Sequence, residues 1–389
     1  MKKIKYVSYY AEPGNPQKRN IALAATNKMD YIIDVLNHLG YEVYIISASS
    51  TCDSKKCYKG ELIRLGEKKF LRTFFSFPWG NKFQKLLSLL SCHMGVIREL
   101  WKTKKGEKVL VYHSLGYMNL INILHRIKRF HLILETEEIY SDVIDNNKLR
   151  KKEIRFLRSA DSYIFPTKLL NEEINIKKHP VVYIHGTYKV ELDRKCRIFN
   201  GNLQKKEGKE DRIIHCVYAG TFDPRKGGVA AAAAAAEYLP CGYHIHIIGF
   251  GNKKDIKNMQ DEVAKISKRS KAKVTYDGML SGEDYIRFIQ SCDIGLSTQN
   301  PDAAFNATSF PSKVLSYLAN GLRVVSIRIP AIEQSAVGSK LFYYEKQTPE
   351  EIAKAILAVN MNEQYDSRQL IADLAVDFEE KLSYLLEEK

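Results

Sequence analysis

In YAGTFDPRKGGVAAAAAAAEYLP (218–240), a strand-like run reaches Gly220. A polar loop carrying Arg225 and Lys226 then leads through two glycines into seven consecutive alanines. The first turn of a helix has unpaired backbone N–H groups and the positive end of the helix dipole, so it attracts anions. Glycine lets backbone approach a ligand closely, and Lys226 would add a full charge where a phosphate oxygen would lie. A solvated surface loop ahead of a well-packed alanine helix would use the same residues, so this stretch alone leaves both readings open. It is not a P-loop, because the four-residue spacer and the GK[ST] ending are missing.

Two further loops share the pattern. In SFPSKVLSYLANG (309–321), Ser309 is placed to cap a helix with Pro311 near its first turn. Ser312 and Lys313 then offer a hydroxyl and a cation at the helix start, and Gly321 ends the helix. In IIGFGNKK (247–254), Gly249 and Gly251 follow a strand, but Lys254 stands where a dinucleotide fingerprint needs its third glycine. Three strand-to-helix loops of this kind predict a phosphate-bearing ligand at the carboxyl ends of one sheet.

Such loops need a sheet to hold them. Short apolar runs (4–11, 41–47, 108–114, 131–137, 161–167, 181–187) alternate with helical periodicity over 22–40, 82–102, 119–128 and 147–160. After the polar stretch 191–212 the alternation restarts with RIIHCVYAGT, YHIHIIGFG, KVTYDG, IGLSTQ, RVVSIRIP and LFYYEK. Apolar strands alternating with helices mean parallel, doubly wound sheets. The expectation is two Rossmann-like α/β domains facing a cleft: 1–188, a linker at 189–212, 213–362, and a final helix at 363–389 crossing back to the first domain.

Composition narrows the function classes. The chain has 389 residues, 45% hydrophobic and 27% charged, as in ordinary globular proteins. The start MKKIKYVSYYAEPGN reads as a first strand, not a signal peptide. Seven cysteines without paired CxxC spacing suit a reducing compartment. The net charge of +15 lies almost wholly in residues 1–188, which hold 32 Lys+Arg against 18 Asp+Glu. Within them, 64–108 carries 11 basic and 3 acidic residues among six phenylalanines and tryptophans from Phe70 to Phe83, with Trp101 beyond. KLRKKEIRFLR (148–158) has 6 basic residues and 1 acidic. An anionic membrane surface against 64–108 fits this asymmetry. No helix-turn-helix, zinc-finger or RNP-like signature supports nucleic acid.

The order AGTFDPRKGG, IIGFGN, VTYDGMLSGEDYIRFIQSCDIGLSTQ and SFPSKVLSYLANGLRVVS resembles the donor-binding domain of GT-B glycosyltransferases, in particular the retaining family 4. The resemblance covers roughly 210–345 by motif and the first half by architecture. It implies a nucleotide-sugar donor, transfer with retention, and no metal or other cofactor. By position, Lys226 resembles the lysine that grips the donor diphosphate and His113 a histidine that reaches the donor sugar. Gly220, Thr221, Arg225, Gly249 and Gly251 fall in the donor loops. Gly278 and Leu280 match the loop that cradles the base. Phe310, Pro311, Ser312 and Lys313 match a variant helix start facing the donor, beside Ser309. The family's glutamate pair falls on Thr308 and Ser316, and its arginine after Gly220 is absent.

On the acceptor side the candidates are Gly14, in the loop AEPGNPQ, and Glu135, Glu137 and Glu138 at a strand end. The glutamates could equally pair with nearby lysines or arginines. His244 and His246 alternate on one strand and read as hydrogen-bonded core residues, not metal ligands. The resulting expectation is a glycosyltransferase, cytoplasmic and peripheral on the inner face of the cell membrane. It would extend a lipid-linked or oligosaccharide acceptor in surface polysaccharide synthesis. The missing arginine and glutamates keep a catalytically weak partner subunit open, and the fold keeps a sugar-nucleotide 2-epimerase open.

Overall fold

The computed structural model describes residues 2–193, 212–223, 228–301 and 308–387. They divide into two compact units, Met1–Thr187 with Asp377–Lys389 and Tyr188–Val376. Of the expected linker 189–212, residues 194–211 lie outside the described residues.

The first unit holds β1 (Lys2–Ser8), β2 (Tyr41–Ser47), β3 (Leu62–Arg64), β4 (Lys69–Arg72), β5 (Lys108–Tyr112), β6 (His131–Glu135), β7 (Ser162–Phe165) and β8 (Val181–Tyr183). They form one sheet in the order β3-β4-β2-β1-β5-β6-β7-β8, parallel except where β3 meets β4. Val7, Val109, Val111, Leu132 and Leu134 are buried because helices cover the strands, and their apolar runs made these strands visible in the sequence. The β3–β4 hairpin was not expected. It is a short, cationic edge pair, attached where Phe70 stacks on Tyr44 across β4 and β2. Charge and brevity suit an edge strand and hide it from a hydrophobic pattern.

The second unit holds β9 (Ile214–Thr221), β10 (Tyr243–Phe250), β11 (Lys273–Gly278), β12 (Ile294–Ser297), β13 (Arg323–Ile327) and β14 (Phe342–Tyr344). Their order is β11-β10-β9-β12-β13-β14, all parallel. This is the doubly wound 3-2-1-4-5-6 order, which places its ligand crevice beyond the carboxyl ends where the order reverses, between β9 and β12. The corresponding switch point of the first sheet lies between β1 and β5. The alanine run is α-helical only over Val229–Ala234, then tightens into a 3-10 turn at Ala235–Tyr238, ahead of Pro240. Ala232, Ala233, Ala235 and Ala236 are fully buried, so the absence of bulk lets this segment pack tightly under the helix Pro349–Leu357.

Candidate active site

At the switch point of the second sheet, β9 ends on Gly220 and Thr221 beside the last turn of β10. Gly249 has φ +149°, and a Cβ there would collide with the carbonyl oxygen of Gly220. Only glycine lets the two strand ends approach this closely. Gly278 (φ +86°) turns the chain out of β11 toward Leu280. Gly251, next to Gly249, sits against Asp255 and Phe222 with little room for a side chain.

The helix Ser312–Ala319 brings Lys313 to this edge. Ser309 does not cap it: Pro311 occupies the cap position with ψ 107°, and among the described residues no side-chain cap bonds the first amides. The extended proline delays the helix until Ser312, which leaves Ser309 too far upstream. The other end is as expected, with Gly321 at φ +83° and the Gly321 and Leu322 N–H groups bonding the Leu318 and Tyr317 carbonyls. Lys313 Nζ lies 4.2 Å from the centre of the Tyr218 ring, and a Cβ on Gly220 would come within 3.3 Å of it. Burial pulls its ammonium down to about 8. Among the described residues it has no carboxylate partner. Ser312 is exposed beside it, and Phe310 and Thr308 are buried behind. Ser316, on the following turn, hydrogen-bonds Tyr285 Oη at 3.0 Å.

Tyr317 fastens this helix to the sheet. Its hydroxyl accepts from the Ala219 N–H at 2.8 Å, and its ring fills the space a Gly295 side chain would need. Tyr317→Phe would leave a buried N–H unpaired next to Gly220. We expect a loss of about 1–3 kcal/mol in urea unfolding. An unchanged midpoint would show that the bond contributes nothing.

Arg225 and Lys226 lie outside the described residues. Gly228, which follows them, is held by the end of β12: its N–H donates to the Thr298 carbonyl at 3.1 Å and its carbonyl accepts from Thr298 Oγ1 at 3.0 Å. Ser297 Oγ and Gln299 Nε2, buried at the same strand end, have no hydrogen-bond partner among the described residues.

In the first unit a cavity of about 140 Å3 opens at the β1/β5 switch point, lined by Tyr9, Met29, Tyr112, His113, Ser114 and Tyr140 with two alanines. His113 is buried and hydrogen-bonds Glu153 Oε1 through Nε2 at 2.7 Å. Burial would raise the Glu153 carboxyl. Bonds from His113 and from the Tyr140 and Ser141 N–H groups outweigh it and hold the group below its ordinary range. A carboxylate at Nε2 fixes the proton there, and Nδ1 is left buried without a partner among the described residues.

The three acceptor-side glutamates separate. Glu135 is fully buried, its carboxyl takes the Tyr6 hydroxyl, and burial raises it to about 8. It is a core group, not a surface for an acceptor. Glu137 pairs with the buried Lys28, which also donates to the Ile184 carbonyl at 3.1 Å. Glu138 is half-buried nearby. Gly14 forms an exposed turn at φ +71°. Sequence reasoning missed Glu153, although it was visible as the one acid in KLRKKEIRFLR. The tyrosines around the cavity gave no signal, because aromatic residues after strands read equally well as core.

Residues 214–362 match the model of the family described as Glycosyl transferases group 1. No curated protein matches the chain in sequence. Among solved structures, the chain is similar to a sucrose-phosphate synthase from Thermosynechococcus elongatus (TM-score 0.65, 13% identity, 99% of this chain and 95% of that one). It is similar to a structure described as trehalose-6-phosphate from E. coli bound with UDP-2-fluoro glucose (TM-score 0.63, 11% identity, 100% and 99%). An α,α-trehalose 6-phosphate synthase from Burkholderia multivorans is similar as well (TM-score 0.61, 10% identity, 99% and 94%). At these identities the likeness is one of fold, and it spans both units.

Proposed function

With a GT-B fold and a group 1 glycosyltransferase domain as its second unit, we propose that this chain transfers a sugar from a nucleotide-diphosphate donor, with retention as in family 4. The acceptor is a lipid-linked or oligosaccharide glycan of surface polysaccharide synthesis. The observation that carries the reading is Lys313: a desolvated cation without a carboxylate among the described residues, set between the Tyr218 ring and Gly220 at the switch point. Glycosyl transfer puts negative charge on the departing diphosphate, and a preorganised ammonium with backbone amides stabilises that charge without a proton relay. Such a set does the neutralising that a metal does elsewhere, so transfer is expected to proceed in chelator. Lys226 is assigned the same task from sequence alone. Titration of the full chain with UDP, GDP and their sugars tests the reading. Saturable binding of one nucleotide class followed by donor consumption supports it. Absence of both would favour the partner-subunit reading, which Thr308 and Ser316 in place of glutamates already suggest.

The membrane part of the proposal rests on the helix Lys82–Trp101, whose start is capped reciprocally by Asn81 and Gln84. Ser88, Cys92, Val96 and Leu100 face the core. The opposite stripe exposes Phe83 (68%), Leu86, Leu90, Met94 (62%) and Trp101 (55%). Lys82, Lys85, Arg98 and Lys102 flank it, with Lys128 Nζ 5.3 Å from the Trp101 ring. An apolar stripe edged by cations lies flat on anionic lipid. Among the described residues no helix is long and apolar enough to cross a membrane. Replacing Phe83 and Met94 by serine should lower co-sedimentation with phosphatidylglycerol vesicles at least tenfold, since each large side chain contributes about 1.5–3 kcal/mol when buried. Partitioning equal to wild type would remove the membrane assignment.

A further inference from the structure

The fold adds a third imidazole to the pair on β10. In the parallel register of β9 and β10, His215 lies opposite His244, and strand alternation puts His246 on the same face. One ring nitrogen from each of His215, His244 and His246 lies within 4.8 Å of the other two. We propose that these three histidines form a divalent transition-metal site, with zinc as the ion, at the amino end of the second sheet.

The donor set suits the ion. Three imidazoles match a borderline cation, and zinc accepts three such ligands in a tetrahedral shell completed by water. His215 Nδ1 and His246 Nε2 are 2.9 Å apart and share a hydrogen bond. Zinc with Zn–N bonds of about 2.0–2.1 Å would hold two nitrogens about 3.3–3.4 Å apart, so the pair must open by roughly half an ångström.

The surroundings match a metal's outer shell. His246 Nδ1 bonds Asp277 Oδ2 at 3.0 Å, a carboxylate–histidine pairing that fixes the tautomer and aims Nε2 at the ion. His244 Nε2 lies 2.9 Å from Thr275 Oγ1, which donates to the same Asp277 oxygen at 2.8 Å, leaving His244 Nδ1 for the metal. Arg212 and Lys273 face the cluster with unfavourable charge, and Asp277 and Asp293 oppose them. His215 is half-buried and gives an ion a way in.

The site is separate from transfer. Gly220 is five residues beyond His215 on β9, about 17 Å along the strand. A metal here would tie β9 to β10 and stiffen the sheet that carries the donor edge. Without one, the same groups form a hydrogen-bonded chain from His215 through His246 to Asp277.

Untagged full-length protein, stripped with chelator, should be titrated with Zn2+ by calorimetry and with Co2+ by absorption. The expected result is one Zn2+ per chain, the visible bands of a tetrahedral Co2+ centre, and a higher Tm with Zn2+. His215→Gln should weaken binding at least about 100-fold and abolish the Tm gain. Asp277→Asn should weaken binding about 10–100-fold while the three ligands remain. If His215→Gln unfolds, His244→Gln carries the same expectation. Absence of stoichiometric Zn2+ binding, or binding by a folded histidine variant equal to wild type, would overturn the site and leave the hydrogen-bonded chain.

Discussion

Lys313→Met is expected to cut the rate of sugar transfer by roughly 10²–10³-fold, the size of effect that follows loss of one preorganised charge donor. The same change should make the ligand-free protein more stable. Lys313 falls from an ordinary 10.5 to about 8 because the folded chain desolvates it. Between those pH values the unfolded chain holds the proton and the folded chain does not, so stability rises with pH there. Below about 8 the folded state carries the charge at full cost. Complete burial would make that roughly 3 kcal/mol. Lys313 keeps part of its surface in water, so about 1–2 kcal/mol is expected. The methionine variant should therefore unfold at a higher temperature at pH 7, and its advantage over the wild type should shrink progressively between pH 8 and about 10.5. Nucleotide binding should behave in the opposite sense. An arriving diphosphate favours the ammonium, so wild-type affinity should fall up to tenfold per pH unit above about 8, with little change in the variant. Calorimetry from pH 6.5 to 9.5 on both proteins tests this. Wild-type affinity indifferent to pH would mean that no phosphate meets Lys313.

The architecture was legible because buried parallel strands are nearly continuous apolar runs, and Tyr41–Ser47 was bounded correctly for that reason. The β3–β4 hairpin was not, since the edge strand Leu62–Arg64 and its partner Lys69–Arg72 are only three and four residues long and are broken up by Arg64, Lys69 and Arg72. Lys313 was found from a local pattern, a cation in the first turn after a strand. Its physical distinction, burial against the Tyr218 ring, is a tertiary fact. The Ser309 cap failed on a single dihedral, because a proline can precede a helix as well as start one. Long-range partners leave the weakest trace. His113 was singled out only through its resemblance to a family histidine, and its partner Glu153 sits 40 residues away. His215 likewise joins His244 and His246 only through strand register.

Removal of the His113 side chain carries the second large expectation. His113→Ala should lower turnover about 10²–10³-fold and leave nucleotide affinity within about twofold. The asymmetry follows from position. The groups assigned to the diphosphate stand at the β9/β12 switch point, whereas His113 lines the cavity at β1/β5. With Nε2–H committed to Glu153, Nδ1 is an acceptor fixed in direction and, among the described residues, buried without a partner, suited to a sugar hydroxyl and not to a phosphate. An acceptor that binds only through the sugar stabilises the transferring group, so its loss appears in turnover more than in nucleotide Kd. The substitution also removes one of the three bonds to Glu153. The Tyr140 and Ser141 N–H groups still hold that carboxylate, so a stability cost of about 1–3 kcal/mol is expected and the fold survives. Glu153→Gln separates the two effects. It keeps the imidazole but removes the charge that fixes its proton, so turnover should fall, by less than in His113→Ala. Wild-type turnover in His113→Ala, with the thermal cost present, would reduce the pair to a structural bond and remove His113 from the chemistry.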